Sequence, residues 1–183
     1  MSLLVFYLLS SWLPLLITTA GLSLSRASLM AAMLAIGGTF GAILIGRLMD
    51  RFDPPRVLAA AYALAGLFVV LLGSATASPA LLVFAIFGAG FGVGGAQVGA
   101  NALAAASYPT ANRATGVSWA NAVGRTGSIL GSMMGGFLLS LGWKLPFVFS
   151  VAALPAFLAG GGMLTLAWLN ASARARAPQP AIG

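Results

Sequence analysis

The sequence predicts an all-α, polytopic membrane protein of six transmembrane helices. Three observations carry that expectation. Sixty per cent of the 183 residues are hydrophobic and only 6% are charged, whereas a soluble domain carries about a quarter charged residues, so this chain cannot clothe a water-facing surface. The mean hydropathy is +1.02. Apolar stretches of about 20 residues, the length that crosses a hydrocarbon core about 30 Å thick, recur six times between charged or helix-breaking segments. Lipid cannot satisfy loose backbone groups, so spans are helices or closed barrels. Barrel strands alternate apolar and polar residues over about ten positions, and these stretches do not.

The first span covers 2–20 and has no Lys or Arg before it, so it lacks the basic start of a signal peptide. Tyr7, Ser11, Pro14 and Thr18 align along one side of it. Arg26 marks the first break, and the second span covers 28–49. A charged run, 50–56, precedes the third span at 57–76, and Ser78-Pro79 precedes the fourth at 80–106. The segment 107–113 separates this from the fifth span at 115–141. Gly142-Trp143-Lys144 leads to the sixth at 146–170. Pro14 and Pro155 fall inside spans and are expected to kink them. The expected organisation is a bundle over 1–170 and a disordered tail over 171–183, with Arg174, Arg176, Pro178 and Pro180.

Nine Lys and Arg against two Asp and Glu give a net charge of +7. The basic residues are scattered without a dense run, so nucleic acid is not an expected partner. Six spans place both termini on one side, together with Arg47, Arg51, Arg56, Arg113, Arg174 and Arg176; Arg26 and Lys144 lie on the other. The positive-inside rule makes the richer side, and both termini, cytoplasmic. Cys and His are absent, which removes disulfides, thiolate and imidazole metal ligands, and imidazole bases. No metal, no cofactor and no enzymatic activity are expected. Gly90-Phe91-Gly92-Val93-Gly94-Gly95 satisfies G-x-G-x-x-G, but the nucleotide fingerprint needs a preceding strand and a βαβ unit, and this segment sits inside a span.

Arg125 is the residue with the sharpest implication. It lies ten residues into the fifth span, about 15 Å along a helix and so at the middle of the bilayer. An isolated charge there costs about 2.5–3.5 kcal/mol on insertion scales and calls for a partner. The chain's acids, Asp50 and Asp53, both belong to the second connection at the membrane edge. One reading is a clamp for a substrate carboxylate; the other is structural, with Arg125 held by backbone carbonyls or by a carboxylate of another chain. Ser118, Asn121, Arg125, Ser128 and Ser132 fall within an arc of about 80° at ~100° per residue. Gly116, Gly124, Gly127, Gly131 and Gly135 form a neighbouring arc suited to close helix packing. Trp119, Val123, Ile129, Leu130 and Met133 fill the rest. In the fourth span Gly90, Gly94, Gln97 and Asn101 share one side, while Gly88, Gly92, Gly95 and Gly99 share the other, as in a helix sandwiched between two neighbours. Each polar face suits either cavity lining or helix–helix hydrogen bonding.

The second connection reads Gly46-Arg47-Leu48-Met49-Asp50-Arg51-Phe52-Asp53-Pro54-Pro55-Arg56. It resembles the G-x-x-x-D-R-x-G-R-R signature of the major facilitator superfamily, which joins the second and third helices of each six-helix half. Gly46, Asp50 and Arg51 match, Asp53-Pro54-Pro55 departs from the pattern, and Arg56 keeps a charge just beyond. The resemblance implies a gating role for this loop, with Asp50 near the positive N-terminus of the fifth helix. Tyr108-Pro109-Thr110, Arg113-Ala114-Thr115-Gly116, Gly124-Arg125 and Gly131 further resemble the aromatic acid:proton symporters of that superfamily. Leu9 to Pro14 and Gly94 to Gln97 do so too.

That resemblance implies one half of a major facilitator fold, the C-terminal six helices, in the inner (plasma) membrane. It implies transport of a small aromatic carboxylate with protons, as part of a complete carrier. The expected substrate-binding residues are Arg125, Asn121, Ser118, Gln97, Asn101, Tyr7 and Ser11; the expected loop and gating residues are Gly46, Asp50, Arg51 and Arg113. The partners would be the lipid bilayer, the substrate, protons, and an N-terminal six-helix half or second chain bearing the proton-coupling acids. The alternatives are a transport-inactive or regulatory membrane subunit, or a half-carrier for another organic acid.

Overall fold

The computed structural model describes residues 1–19, 24–75, 78–143 and 145–176. Its elements are six α-helices: α1 (Ser2–Thr19), α2 (Leu24–Arg51), α3 (Pro54–Ser74), α4 (Pro79–Ser107), α5 (Arg113–Ser140) and α6 (Leu145–Arg176). Two boundaries differ from expectation. Arg26, expected in a connection, belongs to α2. Helix α6 continues to Arg176, six residues into the segment expected to be disordered. Ala and Arg are strong helix formers, so the helix outlasts the apolar stretch. Ala20, Thr76, Lys144 and the remainder of the tail, 177–183, lie outside the described residues.

Helix ends follow local chemistry. Pro54 and Pro79 open α3 and α4, where the missing N–H of proline would have been unpaired anyway. Helix α5 ends in a Schellman turn: Gly142 takes φ 74°, its N–H donates to the Leu139 carbonyl at 3.0 Å, and the Trp143 N–H donates to Leu138 at 3.4 Å. Pro14 and Pro155 both lie within helices.

Helix α4 is the centre of the bundle, with α2 on one side and α3 on the other; α3 also carries α6, and α1 packs on α5. Missing side chains permit these approaches. A Cβ on Gly37 or Gly41 of α2 would strike the carbonyls of Phe87 or Phe91, and one on Gly94 of α4 would come within 2.7 Å of the Gly38 Cα. On the opposite side of α4, Gly92 faces Ala65 and Gly88 faces the Phe68 ring, both on α3. Helix α4 is therefore sandwiched as expected, but Gly95, expected on the side of Gly88 and Gly92, lies against Gly41 and Ile45 of α2, because the glycine set follows the helix round by ~100° per residue. The main core joins Leu8, Leu9 and Leu13 with Val69, Leu72, Ile86 and Phe149.

No polar or charged side chain is fully buried among the described residues, while Trp119 and Trp168 are each 70% exposed. Apolar side chains turned outward on this scale need lipid or protein around them. Among the described residues, four segments are long and apolar enough to cross a membrane: Ser28–Arg51, Pro54–Ser74, Pro79–Ser107 and Phe147–Ala173. The stretch Ser2–Leu15 of α1 is apolar but shorter. Helix α5 has the length, at 28 residues, but Asn121, Arg125 and its serines and glycines lower its hydropathy. It is also the least buried helix, with only Gly131, Gly135 and Leu138 enclosed.

Candidate functional site

Helices α1, α4 and α5 enclose a cavity of about 370 Å³. Leu3 and Tyr7 come from α1, Gln97 and Asn101 from α4, and Asn121, Arg125 and Ser128 from α5. Spacing explains each pair: residues four apart share a helix face, so Leu3 and Tyr7, Gln97 and Asn101, and Asn121 and Arg125 each point the same way. Five of the seven expected binding residues thus meet on one wall. Ser11 and Ser118 do not line it; both are exposed elsewhere on α1 and α5. Leu3 and Ser128 were not anticipated, although Ser128 shares the polar arc of Arg125. The Ser128 hydroxyl donates to the Arg125 carbonyl at 2.6 Å, which satisfies it within its own helix.

The glycine arc of α5 meets α1. Gly124 lies against Leu3, Gly127 against Leu4, Gly131 against the Leu4 carbonyl and Gly135 against the Trp12 indole. Arg125, next to Gly124 in sequence, lines one cavity with Tyr7 of α1. On α4, Gly90 and Gly94 pack on α2 rather than facing the cavity, so the side they were expected to share with Gln97 and Asn101 divides between packing and lining. The Ser2 hydroxyl donates to Oε1 of Gln97 and ties α1 to α4 at the cavity's edge.

Arg125 is exposed, and no carboxylate among the described residues pairs with it. The wall therefore offers one permanent positive charge, a phenol, three carboxamides and the apolar Leu3. Such a set accepts a small anion with further polar groups: the guanidinium binds a carboxylate through two parallel N–H donors, and the amides serve as donors or acceptors. With no Cys or His in the sequence, neither a thiolate nor an imidazole nucleophile or base stands beside it.

The loop residues lie apart from this cavity. Asp50 and Arg51 end α2 and are exposed, and Arg113 opens α5, also exposed. The Arg56 guanidinium pairs with Asp53 at 3.7 Å. A Cβ on Gly46 would meet nothing within 4 Å, so this chain's own packing does not require glycine there. The implied contact of Asp50 with the start of the fifth helix is not formed: α2 packs on α4 and α5 on α1, and α2 and α5 share at most a marginal contact.

Comparison with known proteins adds the following. The family description "Major Facilitator Superfamily" matches residues 1–182. The chain is 49% identical over 177 residues to the gallate transporter of Pseudomonas putida, covering 97% of this chain and 38% of that protein. It is 42% identical over 156 residues to the 4-hydroxybenzoate transporter PcaK of Acinetobacter baylyi, covering 85% and 34% respectively. It is 36% identical over 182 residues to the benzoate transport protein of the same species, covering 98% and 38%. The chain therefore spans little more than a third of the length of these relatives.

Proposed function

Because the chain belongs to the major facilitator superfamily, a family of transporters rather than enzymes, we propose that it forms one wall of the substrate cavity in a carrier for aromatic carboxylates. The observation that carries this reading is Arg125: a charge at mid-span depth, without a carboxylate partner among the described residues, opening on one cavity with Tyr7, Gln97, Asn101 and Asn121. An uncompensated arginine there is costly, and an anionic substrate supplies the missing charge. The relatives named for gallate, 4-hydroxybenzoate and benzoate share a carboxylate on an aromatic ring, which suits a guanidinium flanked by a phenol and amides.

In this reading the chain corresponds to the C-terminal six helices, and both termini face the cytoplasm, which the excess of Arg on that side supports. Substrate in this superfamily sits near the midplane between two halves, so the opposite wall comes from an N-terminal half or a second chain. The only acids of this sequence, Asp50 at the end of α2 and Asp53 just before α3, lie away from the cavity, so in this reading the groups that couple uptake to protons belong to that other side. Ser11 and Ser118, off the cavity wall here, are left as contacts to that half; Gly46, Asp50, Arg51 and Arg113 form the gating edge.

The test is an exchange. This chain replaces the matching segment of the gallate transporter, and uptake of labelled gallate is measured in cells with the amount of carrier in the membrane. Arg125→Ala is expected to abolish uptake without lowering that amount. Undiminished uptake by the variant would overturn the clamp.

A further inference from the structure

The Ser2–Gln97 hydrogen bond stands at a boundary between two spaces. Gln97 lines the cavity that holds Arg125. Ser2 lines a second, more open cavity of about 540 Å³, whose wall includes Tyr62 of α3, Ala100 of α4, and Gly162 and Met163 of α6. The Ser2 hydroxyl donates to Oε1 of Gln97. Tyr62 in turn reaches the carbonyl of Ala96, the residue before Gln97, at 3.5 Å. Hydroxyls from α1 and α3 thus reach two successive residues of α4, Gln97 and Ala96.

That arrangement has a consequence for what Gln97 can do. A free carboxamide flips, presenting either its oxygen or its NH₂ to a ligand. With Oε1 engaged by Ser2, Nε2 is the end of this amide left for the cavity that Gln97 lines, and there it is a donor only. An anionic substrate has only acceptors at its carboxylate, so a fixed donor beside the guanidinium is useful where a flipped amide oxygen would repel. We propose that Ser2 is a positioning residue for the substrate cavity, holding Gln97 so that its Nε2–H₂ donates to an oxygen of the bound acid. This deepens the proposed function and rests on it for the identity of the ligand.

Gln97 and Gln179 are the only glutamines of the sequence, so labelling glutamine with nitrogen-15 yields two side-chain amide signal pairs, one of them from the tail. The experiment takes the full chain in lipid nanodiscs and reads these pairs by NMR, first alone and then with 4-hydroxybenzoate added. In the ligand-free protein, Ser2→Ala is expected to shift the Gln97 pair and bring its two protons toward the freely flipping limit, while Ser2→Thr keeps the wild-type pattern. With ligand, the Gln97 pair of the wild type shifts, and Ser2→Ala weakens binding about five- to tenfold. A merely structural role for Ser2 would weaken binding equally whether or not Gln97 is present. The cycle with Gln97→Ala is therefore included, and in that background Ser2→Ala is expected to have no further effect. An unchanged Gln97 pair in ligand-free Ser2→Ala overturns the proposal. A wild-type pair that responds to Ser2→Ala but not to 4-hydroxybenzoate, with no response elsewhere on the cavity wall, overturns the aromatic acid reading instead. Far-ultraviolet circular dichroism confirms that each variant is folded; should Ser2→Ala fail, Ser2→Gly and Ser2→Thr carry the same comparison.

Discussion

Trp12 of α1 donates its indole N–H to the backbone carbonyl of Ser132 on α5 at 2.8 Å. The same indole packs against Gly135, where a Cβ would come within 2.5 Å of the ring. The carbonyl it reaches belongs to a helix otherwise held by glycine contacts, so this bond fixes the register of α5 against α1 and, through it, the position of Arg125 relative to Tyr7. Hydrogen bonds between membrane helices contribute about 0.6 kcal/mol on average and up to about 1.7. Trp12→Phe removes the donor and part of the packing surface. It should lower stability by about 1–2 kcal/mol, read as an earlier thermal transition by circular dichroism in detergent. An unchanged transition would mean that glycine packing alone sets the register.

Gly131 and Gly161 make opposite predictions for the same substitution. At Gly131 a new Cβ would run into the Leu4 backbone carbonyl, which no rotamer change can relieve. Gly131→Ala should separate α1 from α5 and cost about 1–3 kcal/mol, as overpacking does. At Gly161 nothing lies within 4 Å, so Gly161→Ala should be neutral or stabilising by up to about 1 kcal/mol, since alanine loses less backbone entropy in a helix. Thermal melts of the two variants side by side check both signs.

The sequence made the six helices and the α1–α4–α5 grouping legible to different degrees. Hydropathy and breakers locate spans because bilayer thickness dictates length. They do not locate helix ends, because a charge marks the membrane edge and a helix can pass it. Arg26 in α2 and the run to Arg176 in α6 are two such cases. At the cavity, a 100° rotation per residue suffices to place Asn121 with Arg125, and Gln97 with Asn101. It cannot say that Ser2 meets Gln97, 95 positions away, nor that Gly90 and Gly94 turn to α2 while Gln97 three residues later turns to the cavity. Those facts come from how the helices pack. The implied meeting of Asp50 with the start of α5 is not seen in this structure for the same reason: a motif fixes where a carboxylate sits in the chain, not which helix faces it.

The Arg56–Asp53 pair tests how little a surface ion pair contributes here. Its separation is 3.7 Å and the arginine side chain is 68% exposed. Exposed pairs contribute about 0–1 kcal/mol, so Arg56→Gln should leave the thermal transition unchanged within about half a kcal/mol. The substitution also removes one of the six arginines on the side assigned to the cytoplasm. Topology reporters at both termini should keep their orientation, because five basic residues still outnumber two. A flipped terminus would show that the loop charges act individually rather than as a sum.

Arg125 distinguishes charge from geometry. Lysine keeps a positive charge but offers a point donor in place of a planar fork. If the cavity binds a carboxylate through paired N–H bonds, Arg125→Lys in the exchanged carrier should raise KM for 4-hydroxybenzoate about tenfold or more, equivalent to ~1.4 kcal/mol. Arg125→Ala should abolish uptake. The methyl ester of the same acid separates the carboxylate from the ring, since it keeps the phenol and loses the charge. Wild type should prefer acid over ester by at least about tenfold as competitors of binding, and Arg125→Ala should lose that preference while still binding the ring weakly. A variant that retains the preference would place carboxylate recognition on the opposite wall of the carrier and return Arg125 to a structural role.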